Sequence, residues 1–428
     1  MSLFQVISLV ITLVALFGYL NHRFIGLPDI IGITAMGLVV SLIVTAVGAT
    51  NPEITRWATA TMRGVNFSEV VFHGLLGMLL FAGSLHVNLA ELAGEKWVIL
   101  VLATAGVVLS TVLVGMGLYY AVPLLGLGLP FIYCLLFGAL IAPTDPIAVL
   151  GLLRQAGVEK SLQTRITGES LFNDGTGVVL FLTLLGLVTG AGEASVPQAL
   201  WLLAREVAGG LIFGIAAGFA GFYLLRSIDS YAVEILVTLS MATAGYSAAE
   251  ALHLSAPIAV VVMGLIVGNH GKRFAMSDRT RAQLFSFWEL TDELLNLLLF
   301  GLIGLEVIAL AVSAHDLLPA LIAIPIVLAA RGISVALPIG ALRQLRRFSP
   351  HTIKLMTWGG LRGGISIALA LSLPTFAGRE TLIAATYAVV IFSILVQALT
   401  MGPLVRWLGA SRGDAIRSQK SEGRRMKV

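Results

Sequence analysis

Apolar residues form long stretches along this chain, and short polar segments separate them. Most stretches hold roughly 20 residues or more, the length that an α-helix needs to cross the hydrocarbon core of a bilayer. The pattern therefore predicts an all-α polytopic membrane protein with about thirteen transmembrane helices. The predicted spans cover approximately residues 3–20, 29–48, 67–86, 97–123, 128–152, 168–190, 201–225, 231–251, 255–269, 284–312, 316–342, 355–375 and 379–409.

The composition agrees with a membrane protein. Of the 428 residues, 57% are hydrophobic and 12% are charged, and the mean hydropathy is +0.95. Soluble domains usually carry about a quarter charged residues, so this chain has too little polar surface to cover a water-exposed globule. The net charge is +4, and the basic residues lie mainly outside the apolar stretches. Membrane orientation and lipid headgroups explain it better than nucleic acid, which we do not expect as a partner.

The basic residues divide unevenly between the two sets of alternate loops. One set, together with the basic tail 411–428, holds most of the 27 Lys and Arg residues. The other set holds Arg56, Arg63, Arg205 and Arg379. By the positive-inside rule we expect a multi-pass protein of the cell membrane, with its N-terminus outside and its C-terminus in the cytoplasm. The transporter domain would cover residues 1–410, with 411–428 as a short cytoplasmic tail.

Two predicted spans are interrupted near their centres. The fifth contains two prolines in the sequence APTDP at 142–146, and the twelfth contains the glycine-rich sequence GGLRGG at 359–364. They are seven spans apart and so cross the membrane in opposite directions. This arrangement predicts inverted repeats with two discontinuous helices that cross near the midplane. The first half would cover about 1–190, the second about 231–410, and the linker helix about 201–225.

The sixth predicted span contains a group of polar side chains. Ser170 and Asp174 are four residues apart and share one ridge of a helix, whereas Glu169 and Asn173 share the next ridge. Such oxygen-bearing groups suit small hard cations. Asp174 lies more than one turn inside the span, where a carboxylate is costly, and we expect it to be functional. Glu169 could instead cap the helix start, where the dipole favours an anion.

Three further charges fall at or near the centre of predicted spans. Asp145 lies between the two prolines and could offset the positive end of a half-helix. Arg331 lies inside the eleventh span and must meet an acid or water, and Glu169 is the expected partner. Arg362 would supply positive charge at the second interruption, although a long arginine side chain can also reach the interface by snorkelling.

Three sequence fragments resemble a known family. They are TDP at 144–146, GES at 168–170 followed by NDG at 173–175, and GLRG at 360–363. Together they resemble prokaryotic sodium/proton antiporters of the NhaP type and their animal exchanger relatives, a family of monovalent cation/proton antiporters. The resemblance covers most of the chain, because both interruptions and the helix count match that family.

The resemblance implies roles for the polar residues of the site. Asp174 would bind the monovalent cation and the proton alternately, with support from Asn173. Ser170 and Thr144 would supply further oxygen ligands, and Asp145 would lie near the bound cation.

The resemblance also implies an ion pair, a stoichiometry and an assembly. Glu169 and Arg331 would form a structural ion pair. An Asn-Asp sequence such as that at 173–174 resembles the electroneutral branch of the family, and a homodimer is expected. The chain differs from many relatives at Ala82, where they carry an acid.

The physical argument for exchange rests on Asp174. Desolvation disfavours a bare buried carboxylate, so the residue is tolerated when it holds a proton or faces a dehydrated cation. Competition between the two would give one-for-one exchange of H⁺ for Na⁺, Li⁺ or K⁺. The alternative is a cation channel or uniporter without proton coupling. An enzyme is not expected, because the sequence lacks H-E-x-x-H, G-x-S-x-G and P-loop motifs, and no cofactor is predicted.

Overall fold

The computed structural model describes residues 3–48, 50–64, 66–190, 196–310, 313–344, 346 and 348–409, and the predicted tail 411–428 lies outside these ranges. The described residues form helices and connecting loops without a strand, which confirms the all-α class. In chain order the helices are α1 (Leu3–Leu20), α2 (Asp29–Gly48), α3 (Pro52–Arg63), α4 (67–85), α5 (Leu89–Leu125), α6 (Phe131–Ile141), α7 (Ile147–Gln155), α8 (Lys160–Thr189), α9 (Val196–Arg226), α10 (Tyr231–Ala251), α11 (256–274), α12 (Asp278–Glu306), α13 (Ala314–Leu342), α14 (Thr352–Trp358), α15 (Gly364–Leu371) and α16 (Arg379–Trp407).

Nine helical segments among the described residues are long and apolar enough to cross a membrane. Four other predicted spans correspond to α6 with α7, to α11, to α12, and to α14 with α15. These contain interruptions or a polar end, so length and apolar character alone do not identify them. The chain is a multi-pass membrane protein, and the count of about thirteen spans stays a prediction.

Several helix boundaries differ from those predicted from the apolar stretches. The segment between the second and third spans, expected to be a loop, contains α3, which starts with Pro52 in its first turn. Helix α5 begins at Leu89 because the side chain of Asn88 accepts hydrogen bonds from the backbone N–H groups of Ala90 and Glu91. Helices α8 and α12 likewise begin before their apolar stretches. Side-chain caps therefore set the starts of α5 and α12, beyond the end of the apolar pattern.

The two interrupted helices confirm the predicted discontinuous pair. The first is broken between Ile141 and Ile147, and the second between Trp358 and Gly364. The connecting segments meet, because the backbone N–H of Asp145 donates to the carbonyl of Leu361 at 2.9 Å. The division into halves at about 1–190 and 231–410 stays a prediction.

Helices α2 and α12 approach closely through two glycines. A Cβ atom on Gly304 would lie 2.7 Å from the carbonyl oxygen of Thr34 and 3.0 Å from Cα of Gly37. The hydroxyl of Thr34 donates to the carbonyl of Phe300 at 3.2 Å, and that of Ser41 donates to the carbonyl of Gly304 at 2.7 Å. Small residues and hydroxyl hydrogen bonds commonly hold such helix pairs together in membranes.

We expect Gly304→Ala to lower the free energy of unfolding by about 1–3 kcal/mol, because the added methyl must push the two backbones apart. The thermal unfolding midpoint in detergent micelles measures the effect. Gly340→Ala in α13 is the matched control, because nothing lies within 4 Å of a Cβ at that position. Equal midpoints for the two variants would contradict close packing at Gly304.

Candidate cation-binding site

One turn of α8 holds the first helix interruption in place. The side-chain amide of Asn173 donates to Thr144 Oγ1 at 2.8 Å, and its Oδ1 accepts from the backbone N–H of Thr144 at 3.3 Å. Ser170 Oγ donates to the carbonyl of Thr144. The interruption frees the backbone groups of Thr144 from helical hydrogen bonds, and α8 supplies the replacements. Buried backbone groups require such partners at membrane depth.

Asp174 lies on the same ridge of α8 as Ser170, one turn further along, and is 8% exposed. Its carboxylate forms no hydrogen bond or ion pair with the residues that the structure describes, and it lines a cavity together with Asp145 and Thr144. Asp145 is close enough to interact electrostatically with Asp174. The Oδ1 atom of Asp145 also accepts from the backbone N–H of Ile147 at 3.0 Å and caps the start of α7. The structure thus brings these acidic and hydroxyl groups together.

Arg362 lies in the second interruption, between α14 and α15. Its Nη1 donates to the carbonyl of Ala142 at 2.5 Å and to that of Pro143 at 3.0 Å, just past the end of α6. These carbonyls carry the partial negative charge of a helix C-terminus. The side chain is 2% exposed, so it does not snorkel to an interface. A buried cation therefore faces the negative end of one half-helix, and Asp145 the positive end of the next.

Glu169 and Arg331 are in direct contact. Nη1 of Arg331 lies 2.5 Å from Oε1 of Glu169, and Nη2 lies 2.9 Å from Oε2, a two-pronged geometry. Nη2 also donates to the carbonyl of Met356 at 3.2 Å. Both charged residues are buried. Because α8 begins at Lys160, Glu169 does not cap its start. The contact ties α8 to α13 and α14.

The cavity has a volume of about 960 Å³ and leads to Asp174. Asp29, His86 and Arg154 line it, and they lie near the helix ends that the predicted topology places in the cytoplasm. Further acidic residues on the wall are Glu289, Asp292 and Glu293 of α12. Acidic groups outnumber basic ones on this surface. A cleft lined by one sign of charge raises the local concentration of oppositely charged ions, here cations.

Sequence comparison decides the family. The sequence model described as "Sodium/hydrogen exchanger, transmembrane" matches residues 10–407. The chain belongs to the sodium/hydrogen exchanger family. It is 47% identical over 424 residues to the Na⁺/H⁺ antiporter NhaP of Pseudomonas aeruginosa, covering 98% of this chain and 99% of the relative. It is 34% identical over 388 residues to the Na⁺/H⁺ antiporter NhaH of Halobacillus aidingensis, covering 89% and 92%.

Structure comparison supports the same fold. The chain resembles the structure of the sodium proton antiporter MjNhaP1 from Methanocaldococcus jannaschii at pH 8, with a TM-score of 0.71 and 20% identity. The match covers 95% of this chain and 99% of that structure. This exchanger-family chain therefore has the antiporter fold over nearly its whole length.

Several polar residues of the cavity were not singled out from the sequence, and among these are three that are buried or half-buried. They are Asp292 and Asn296 of α12 and Ser366 of α15. Asn296 is 2% exposed and Ser366 is fully buried, and neither Asn296 Oδ1 nor Ser366 Oγ has a hydrogen-bond partner in the described part of the chain. The available signal was the polar spacing along α12, where residues 289, 292, 293 and 296 fall on one helical face.

Proposed function

We propose that this chain exchanges Na⁺ for H⁺ across the cell membrane and that the two ions share Asp174. The observation that carries the proposal is that Asp174 faces the cavity without a hydrogen bond or ion pair to the described residues. Its charge therefore needs a proton or a cation from solution. Membership of the sodium/hydrogen exchanger family and the names of relatives such as NhaP support the choice of ions.

The proposed cation ligands are oxygens around Thr144. Ser170 donates its hydroxyl proton to the Thr144 carbonyl, which leaves lone pairs of Ser170 Oγ free to contact a cation. Thr144 Oγ1 accepts from Asn173 and retains further acceptor capacity. We propose Asp174, Ser170, Thr144 and Asp145 as the ligand set for Na⁺, with Li⁺ and K⁺ as possible alternatives. Both polar ends of Asn173 contact Thr144, so we assign Asn173 to positioning the site.

The proposed mechanism follows from charge balance at Asp174. With a proton or one monovalent cation bound, the carboxylate is close to neutral, whereas the empty site leaves a buried anion. Burying an unpaired charge is costly, so the rearrangement that changes access is favoured in the loaded states. Each crossing then carries one H⁺ or one cation, and exchange is one for one. No enzymatic activity is proposed for this chain.

One-for-one exchange predicts that transport does not respond to membrane voltage. Purified protein in sealed vesicles should move H⁺ when Na⁺ is added on one side, at the same rate with or without an imposed potential. A cycle that moved one net charge would gain or lose about 2.3 kcal/mol per 100 mV, which changes the rate measurably.

Protein-free vesicles are the control for leak in the voltage experiment. A rate that rises with an inside-negative potential would contradict electroneutral exchange. Sodium flux without any H⁺ movement would instead identify a channel or uniporter. Both outcomes are read from a pH-sensitive dye inside the vesicles together with a sodium flux measurement.

We also propose the topology and assembly that the sequence predicts. The N-terminus would lie outside and the C-terminus, with the tail 411–428, in the cytoplasm, because of the uneven division of basic loop residues. A homodimer embedded among membrane lipids is the proposed assembly. Under this topology the cavity opens toward the cytoplasm.

A further inference from the structure

We propose that Asp292 and Asn296 form a second cation site on the α12 wall of the cavity, distinct from the site at Asp174. A small monovalent cation, partly hydrated, would stop there on its way between the cytoplasm and Asp174. The direction of passage rests on the proposed exchange function, whereas binding at Asp292 and Asn296 does not.

Helix α12 presents one polar ridge to the cavity. Glu289, Asp292, Glu293 and Asn296 follow the spacing of a single helical face, and all four line the cavity. Glu289 and Glu293 are exposed to it, Asp292 is half-buried, and Asn296 is buried. Solvent access therefore falls along the ridge toward its inner end, where an ion would exchange water for protein ligands.

The orientation of Asn296 distinguishes this end of the ridge from an ordinary acidic surface. Its Nδ2 donates to the backbone carbonyl of Asp292 at 2.7 Å and to Asp292 Oδ1 at 3.1 Å. These two acceptors fix which end of the amide is nitrogen. The remaining atom, Oδ1, is a buried carbonyl oxygen with no hydrogen-bond partner among the described residues. A buried acceptor of this kind needs a partner, and a cation can serve.

Carboxylate and carbonyl oxygens are the ligands that hard cations prefer. Asp292 supplies a carboxylate, which forms no ion pair with the residues that the structure describes. Asn296 supplies a carbonyl oxygen. With one carboxylate, such a site balances one positive charge, and water on the cavity side can complete the coordination. This charge balance favours a monovalent cation.

The two sites are linked through Asp145. Asp145 is close enough to interact electrostatically with both Asp292 and Asp174. Carboxylates that repel one another across a cavity are relieved by a cation held between them. A cation at Asp292 therefore lies within the field of the acids at the helix crossing, and it would transfer from the α12 wall to the α8 wall.

Transport kinetics test the proposal with three variants. We expect Asp292→Asn and Asn296→Leu each to raise the KM for Na⁺ added on the cavity side by about tenfold, with the maximal rate within about twofold of the unmodified protein. Glu289→Gln is the matched control, since it removes the same charge from the same ridge without an unpaired amide beside it. We expect its KM to rise by less than about threefold.

The Asn296→Leu variant distinguishes a specific cation site from general electrostatic attraction by the acidic wall, because it leaves the charge unchanged. Equal KM values for Asp292→Asn and Glu289→Gln, with no effect of Asn296→Leu, would overturn the site. Each variant is first checked for a single symmetric peak in size-exclusion chromatography. Asn296→Ala replaces the leucine variant if the latter does not fold.

Direct Na⁺ binding in an Asp174→Asn background separates this proposal from the exchange function. We expect saturable, weak stabilisation by Na⁺ in thermal unfolding of Asp174→Asn, and its loss in Asp174→Asn with Asp292→Asn. Choline is the control for ionic strength. No saturable effect in Asp174→Asn would overturn the second site and leave the exchange function untouched. Exchange activity in Asp174→Asn would contradict the exchange mechanism but not the second site.

Discussion

We expect Asp174→Asn to abolish Na⁺-dependent H⁺ movement in sealed vesicles, a loss of at least about a hundredfold in rate, or more than about 2.7 kcal/mol in the barrier. The amide neither takes up a proton at neutral pH nor balances a cation. The fold should survive, because Asp174 forms no hydrogen bond or ion pair with other described residues. Removing a buried charge without a partner should leave the unfolding midpoint equal or higher.

Asp278→Asn is the matched control for the loss of one carboxylate. The Asp278 side chain is 92% exposed and pairs with Arg281 at the start of α12. We expect its exchange rate to match that of the unmodified protein. Robust exchange by a folded Asp174→Asn variant would rule out alternating occupancy of this carboxylate.

The second large effect concerns stability. We expect Glu169→Gln to lower the free energy of unfolding by about 3–5 kcal/mol, because Arg331 would remain buried without its counter-charge. Arg331→Met should have a similar effect, and the variant with both changes should recover part of the loss. The free energies of unfolding of the four proteins give the coupling energy.

A surface ion pair provides the comparison for this cycle. Nη2 of Arg281 lies 2.6 Å from Oδ1 of Asp278, whose side chain is 92% exposed, so Asp278→Asn should cost less than about 1 kcal/mol. If the two single variants add without coupling, Glu169 and Arg331 do not stabilise each other, and the structural role of the pair is wrong.

Much of the fold could be predicted because the apolar stretches are long and the interruptions are chemically explicit. Prolines at 143 and 146 remove helical hydrogen bonds and the glycines around Arg362 lower helix propensity, and the structure breaks both helices there. Helix starts were predicted less well. Helices α5, α8 and α12 begin within polar sequence, where hydropathy carries no signal. At α5 the start is decided by the cap Asn88.

The candidate site was predictable only where local sequence determines it. Spacing placed Ser170 and Asp174 on one ridge, but it could not show that Asn173 would contact Thr144 with both polar ends. That contact depends on how α8 packs against the first interruption. Asn296 could not be predicted either. Its Oδ1 atom is recognisable as lacking a partner among the described residues only when the packing around the cavity is known.

The hydrogen bonds around α8 have a consequence for how the protein changes shape. Thr144, Arg331 and Arg362 tie α8, α13 and both interrupted helices into one polar-bonded block. Against α11 and α12 this block instead presents bare glycine backbone, at Gly175 beside Ile258 and at Gly364 beside Leu299. Smooth apolar surfaces resist sliding less than directional bonds do. We therefore expect the block to move as one rigid unit along α11 and α12, with the bound ion enclosed.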